Sequence, residues 1–184
     1  MYSNSPRNLK DLIERLKLAW SRHPAWSGKF SNQNCPPVLI VSPGGVASTE
    51  LMKHIARFVE TNSPVDKDGL KHRIQPPSNL SKAVLITGDP REVSSSLRRR
   101  GYVGIHSAKM GSTLGVLLRG NAQQTYFERL VLRQRQNFSH QSQECLVLDY
   151  GEAFEACEKL AEFLEIPVDE FCSNYPRRRE RRKL

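Results

Sequence analysis

The 184-residue chain reads as an α/β protein with three αβα layers around a central parallel sheet. Three observations predict this. Short apolar runs recur at Val38–Val41, Ala83–Thr87 and Cys145–Asp149, each suited to a buried strand. Segments with apolar residues at helical spacing separate them. Strands that alternate with helices pair in parallel, with both faces of the sheet covered.

The chain length suits one domain with a real core, placed at residues 1–176, followed by a basic tail at 177–184. A hydrophobic content of 38% with mixed charge marks a folded globule. The tail holds six basic residues and Glu180, a net +5 of the chain's +9, so basicity is concentrated at the end. That balance favours an anionic partner. The tail lacks interleaved aromatic residues, which disfavours nucleic acid and leaves a solvated tail as the simpler reading. Cys35, Cys145, Cys157 and Cys172 form no C-x-x-C pair, and buried reduced thiols are expected. No Cys/His cluster suggests a metal, and no signal peptide or membrane-length apolar run is visible. The simplest compartment is the cytoplasm, without a membrane partner.

Taken in order, residues 7–20 carry a helical stripe through Leu9, Leu12, Ile13, Leu16 and Trp20, with Ser5-Pro6 at its start. Residues 21–37, rich in Pro and Asn, read as a loop. The first strand passes through Pro43-Gly44-Gly45 into a helix that runs to about Glu60, with Leu51, Met52, Ile55, Phe58 and Val59 on one face. A polar, turn-rich stretch follows, and Leu70 to Ile74 reads as a short strand ended by Pro76-Pro77. After the second strand, Asp89 caps a helix from about Arg91, with Pro90 at a permitted early position and Gly101 at its end. Residues 102–120 hold four glycines and few apolar residues, which predicts a flexible, partly exposed segment. Residues 122–138 are expected to be helical. After the third strand comes a helix with Phe154, Cys157, Leu160, Ala161 and Leu164 on one face, ending before Pro167.

The stretch Ser42-Pro43-Gly44-Gly45-Val46-Ala47-Ser48-Thr49 has the chemistry of a phosphate cradle. Glycines let backbone approach an anion, and the free N–H groups of a helix N-terminus point at it. An ordinary tight strand–helix connection is the alternative. No Gly-Lys-[Ser/Thr] closes the loop, so an ATPase or GTPase of the Walker type is disfavoured. In a parallel sheet, ligands bind beyond the carboxyl ends of the strands. The turns after Val41 and Thr87, and Asp149, belong at that edge.

This arrangement resembles the sulfotransferase family that uses 3′-phosphoadenosine 5′-phosphosulfate (PAPS). Ser42 to Leu51 is similar to the family's 5′-phosphosulfate loop, Pro-Lys-Ser-Gly-Thr-Thr-x-Leu. The stretch Thr87-Gly88-Asp89-Pro90-Arg91-Glu92-Val93-Ser94-Ser95-Ser96 resembles its 3′-phosphate motif, Arg-[Asp/Asn]-Pro-[Arg/Lys]-[Asp/Glu]-Val-x-x-Ser. Leu146 to Phe154, with the later Leu164-Glu165-Ile166-Pro167, resembles its strand–Tyr-Glu-Asp–helix stretch and closing Phe-Leu-x-[Ile/Leu]-Pro. The second motif is the most specific, and together the three span most of residues 38–167.

The resemblance implies a P-loop NTPase-like fold and transfer of a sulfuryl group from PAPS to a hydroxyl or amine acceptor. It implies that Gly44, Gly45, Val46, Ala47, Ser48 and Thr49 wrap the 5′-phosphosulfate. Ser96, with Arg91 among the nearby arginines, binds the 3′-phosphate. Leu70-Lys71-His72 stands where many members carry Lys-Thr-His, one residue short, which implies His72 as the base beside Lys71. The family's partners would be the nucleotide donor and an acceptor, a carbohydrate or small molecule. Two departures stand out: Gly44 or Gly45 replaces the loop lysine, and Gly88 replaces the motif arginine. Lys53, Lys71 or Lys109 could supply the first cation, and Arg91, Arg98, Arg99 or Arg100 the second. The same departures keep open a non-catalytic nucleotide- or partner-binding module of the same fold.

Overall fold

In the computed structural model the described residues are 35–46, 48–141 and 144–177, together with Ile13 and Lys17. The expected helix at 7–20 (apart from these two helical residues), most of the loop at 21–37, Ala47 and the tail beyond Arg177 lie outside them. Three strands, β1 (Val38–Val41), β2 (Lys82–Thr87) and β3 (Cys145–Asp149), form one parallel sheet in the order β1-β2-β3. Seven α-helices accompany it among the described residues: α1 (Ser48–Ile55), α2 (Pro90–Arg99), α3 (Val103–Lys109), α4 (Leu114–Leu117), α5 (Gly120–Ser139), α6 (Cys157–Leu164) and α7 (Val168–Cys172). The arrangement is compatible with αβα layering. Among the described residues no helix is long and apolar enough to cross a membrane.

The period-2 alternation of the strands divides the core in two. Val38, Ile40, Val84, Ile86 and Leu148 face one side, where Leu51, Met52 and Ile55 of α1, Val93 and Leu97 of α2, and Phe127 and Val131 of α5 meet them. Leu39, Val41, Ala83, Leu85 and Cys145 face the other, under Leu70, Leu80 and Phe138. Register pairs Val41 with Leu85 and Thr87 with Asp149, so the loops that follow the strands emerge at one edge.

Several expectations are corrected. The first helix stops at Ile55 rather than near Glu60. The chain has to turn back there, because Glu60 accepts the amide of Val38 and Asn62 lies along β1. The Asn62 side chain accepts the Ile40 N–H at 2.7 Å and donates to the Ile40 carbonyl at 2.9 Å, taking the place of a strand partner. Leu70 to Ile74 is a pair of turns, not a strand. Its backbone meets the sheet's loop edge through Ser42 N–H to the Lys71 carbonyl at 2.8 Å, and the side chains of Leu70, Lys71 and His72 are buried.

Residues 102–120 fold into α3 and α4, with Val103, Ala108, Met110 and Val116 buried while Tyr102, Leu114 and Leu117 stay exposed. Here glycine serves close approach: a Cβ on Gly115 would stand 2.4 Å from the Cβ of Ser107. The last predicted helix splits into a 3-10 turn at Glu152–Phe154 and α6, and α7 follows Pro167. Cys157 and Cys172 form a disulfide across α6 and α7, which replaces the expected reduced thiols; Cys145 is a buried free thiol and Cys35 a half-buried one.

Candidate functional site

At the carboxyl edge of β1 the chain bends through Gly44 (φ +90°) and Gly45 (φ +77°) before α1 begins at Ser48. These left-handed conformations favour glycine. They also leave backbone donors open: the amides of Gly44, Gly45, Val46, Ser48 and Thr49 meet no acceptor among the described residues. Successive unpaired amides at a helix start form a concavity for an anion. The loop is braced from beneath, where the Ser42 and Ser48 hydroxyls lie 2.9 Å apart, both buried. Ser48 therefore supports the loop, while Thr49, half-exposed, presents its hydroxyl to a neighbouring cation.

That cation is Lys71. Its ammonium donates to Thr49 Oγ1 at 3.0 Å and to the Pro64 carbonyl at 2.8 Å. Burial is the main cause that lowers its pKa to about 8, against the opposing pull of the Asp66 carboxylate. His72, next in sequence, is buried and donates from Nδ1 to the Ser42 carbonyl at 2.6 Å. A carbonyl only accepts, so Nδ1 carries the proton and Nε2 holds the lone pair. Nε2 lies 3.8 Å from Asp66 Oδ2, which also accepts from Lys109 Nζ at 2.6 Å. Burial, then the Lys109 charge, pushes the His72 pKa down to about 3. His106 packs edge-on against His72 with ring centroids 4.7 Å apart. Its ring stands over the loop: a Cβ on Gly44 would lie 2.3 Å from His106 Cε1 and Nδ1. Burial lowers its pKa to about 2, and its Nδ1 is buried without a partner among the described residues. Both rings are neutral at ordinary pH.

The second turn closes the other side of the loop. The Asp89 carboxylate caps α2, accepting the amides of Arg91 at 2.9 Å and Glu92 at 3.0 Å. Val46 packs toward Gly88, whose Cβ position is 3.6 Å from Val46 Cγ1. Ser96 Oγ accepts from Arg100 Nη2 at 3.3 Å, and that nitrogen lies 3.5 Å from the Cβ position of Gly45. Of the four candidate arginines, the structure thus brings Arg100 to the loop. Arg98 is held by Asn121 and Gln124, and the Arg91 side chain is exposed on the first turn of α2. At the end of β2, Thr87 Oγ1 is buried with no partner among the described residues.

Of the predicted site residues, Gly44, Gly45, Val46, Ser48, Thr49, Lys71 and His72 come together, and Ser96 joins them through Arg100. Ala47 lies outside the described residues. Lys53 pairs with Glu50 on an exposed face of α1. His54 is a core residue, packed against Phe171 and Tyr175 and bonded to the Phe171 carbonyl at 2.8 Å. His106 and Asp66 carry little sequence signal, since a residue in a polar turn or a glycine-rich stretch has no periodicity to mark it. Comparison with protein-family models, curated proteins and solved structures finds no match for the chain.

Proposed function

We propose that the chain is a PAPS-dependent sulfotransferase on a P-loop NTPase-like fold. The carrying observation is the row of unpaired loop amides between two cations, Lys71 and Arg100. The residues fit such a donor on several counts. Open amides suit a phosphosulfate, and Thr87 Oγ1 and His106 Nδ1 are buried polar atoms with no partner among the described residues. The cation that the loop itself lacks is supplied by Lys71, from a turn far along the chain.

PAPS supplies the sulfuryl group. The acceptor oxygen bonds to sulfur as the sulfur–oxygen bond to the phosphate breaks, and its proton passes to His72 Nε2. Ser42 fixes the imidazole in the required tautomer. Lys71, bonded to Thr49 of the loop, would offset charge on the departing phosphate.

The alternative, a non-catalytic nucleotide-binding module, draws on the burial of His72, only 3% exposed, and its low basicity. Calorimetry with 3′-phosphoadenosine 5′-phosphate tests both. The expected Kd is on the order of micromolar. Lys71→Ala or Ser96→Ala should each weaken it roughly tenfold or more, as expected for a lost charged hydrogen bond. No binding overturns both readings. Binding without sulfate transfer to phenol, amine or sugar acceptors leaves the module.

A further inference from the structure

Beside the loop site, a cleft of about 300 Å³ opens between the turn after His72, the end of α3 and one face of α5. Its floor is apolar, built by Met110 and Leu130, both buried, and by Ile74. Tyr126 adds an aromatic wall. Ser112 Oγ donates to Tyr126 Oη at 3.0 Å, which leaves the phenol proton available to a ligand. The cationic groups on its lining are Arg73, Lys109 and Arg133, and among the described residues no carboxylate lines it. Lys109 spends its charge on Asp66, whereas Arg133 meets no carboxylate among the described residues.

The walls are stiff. Gln134 donates to the Arg73 carbonyl at 2.6 Å and Asn137 to the Ile74 carbonyl at 2.8 Å, so α5 holds the turn by two side chains. Arg73 follows His72 directly, and Lys109 reaches the Asp66 oxygen that faces His72 Nε2. The cleft therefore lies next to the proposed proton acceptor.

From this combination of an apolar floor, one aromatic wall and a cationic rim, we infer that the cleft takes a small hydroxylated aromatic carboxylate. Under the sulfotransferase reading, on which the word acceptor rests, this ligand is the acceptor. The volume lies at the small end of ligand clefts, which suits a single ring better than a sugar chain. The rim steers and orients the carboxylate, and the floor selects the ring.

The probes are 4-hydroxyphenylacetate, 4-methylphenol and tyramine, which share a phenol ring and differ in charge. Titration by calorimetry or ligand-observed NMR on the full chain should show the acid bound at least about tenfold more tightly than tyramine, with the neutral phenol between. Arg133→Glu should abolish or reverse that order. Lys159→Glu, an equal charge change on α6 away from the cleft, should leave it intact. Equal binding of acid and amine, no binding of any probe, or an unchanged order in Arg133→Glu would overturn the inference. The two readings fail separately. Nucleotide binding without acid binding removes the cleft assignment alone, whereas acid binding without nucleotide binding or sulfate transfer removes the donor assignment and leaves a site for aromatic acids.

Discussion

His72, buried, and His106, half-buried, pack face to edge beside two lysines, and folding keeps both uncharged. Their folded pKa values, about 3 and about 2, lie below the ordinary 6.5. An unfolded chain therefore takes up protons below pH 6.5 that the folded chain refuses. Stability is full above that value and drains as pH falls from about 6.5 toward 3. The slope approaches roughly 1 kcal/mol per pH unit for each histidine. Urea melts from pH 7 to 4.5 should show His106→Leu with about half the acid slope of the wild type; parallel curves would contradict the assignment. At this scale the sequence was legible where a residue's setting follows from its neighbours, as at the Gly44-Gly45 turn. It carried little signal for Asp66 and His106, because only tertiary packing brings a polar turn and α3 together at the loop.

Helix α2 was readable to within a residue because its determinants are local. Asp89 satisfies two first-turn amides, and Pro90 costs no hydrogen bond at that position. Asp89→Ala should destabilise the protein by about 1 kcal/mol, and Asp89→Ser or Asp89→Asn should recover most of that, in equilibrium denaturation. If alanine matched the wild type, the cap would contribute nothing. The end of α1 was not readable for the opposite reason: the pairing of Asn62 with β1, 22 residues from Ile40, outweighs the helical spacing of Phe58 and Val59. Glycines at 102–120 suggested mobility. In the fold, Gly115 instead permits contact with Ser107, and only the tertiary structure separates the two meanings.

For the molecule as a whole, the parallel sheet follows from three apolar runs, and its two-faced core from their alternation. The link between α6 and α7 did not follow, since two cysteines separated by 15 residues share no local pattern. Closing a loop of that size is worth about 3 kcal/mol in the chain-entropy picture. A melt under a thiol reductant, or of Cys157→Ser, should therefore fall by several degrees; coincident melts with and without reductant would exclude a stabilising bridge. Glutathione-rich compartments keep such pairs reduced, so the oxidised fraction in cells also bears on the expected cytoplasmic location.

Asn62 carries a further implication. A bare outer strand is a template on which a foreign strand can polymerise. By answering the amide and carbonyl of Ile40 with a single side chain, this residue removes two of the contacts such growth would need, and among the described residues β1 ends the sheet on that flank.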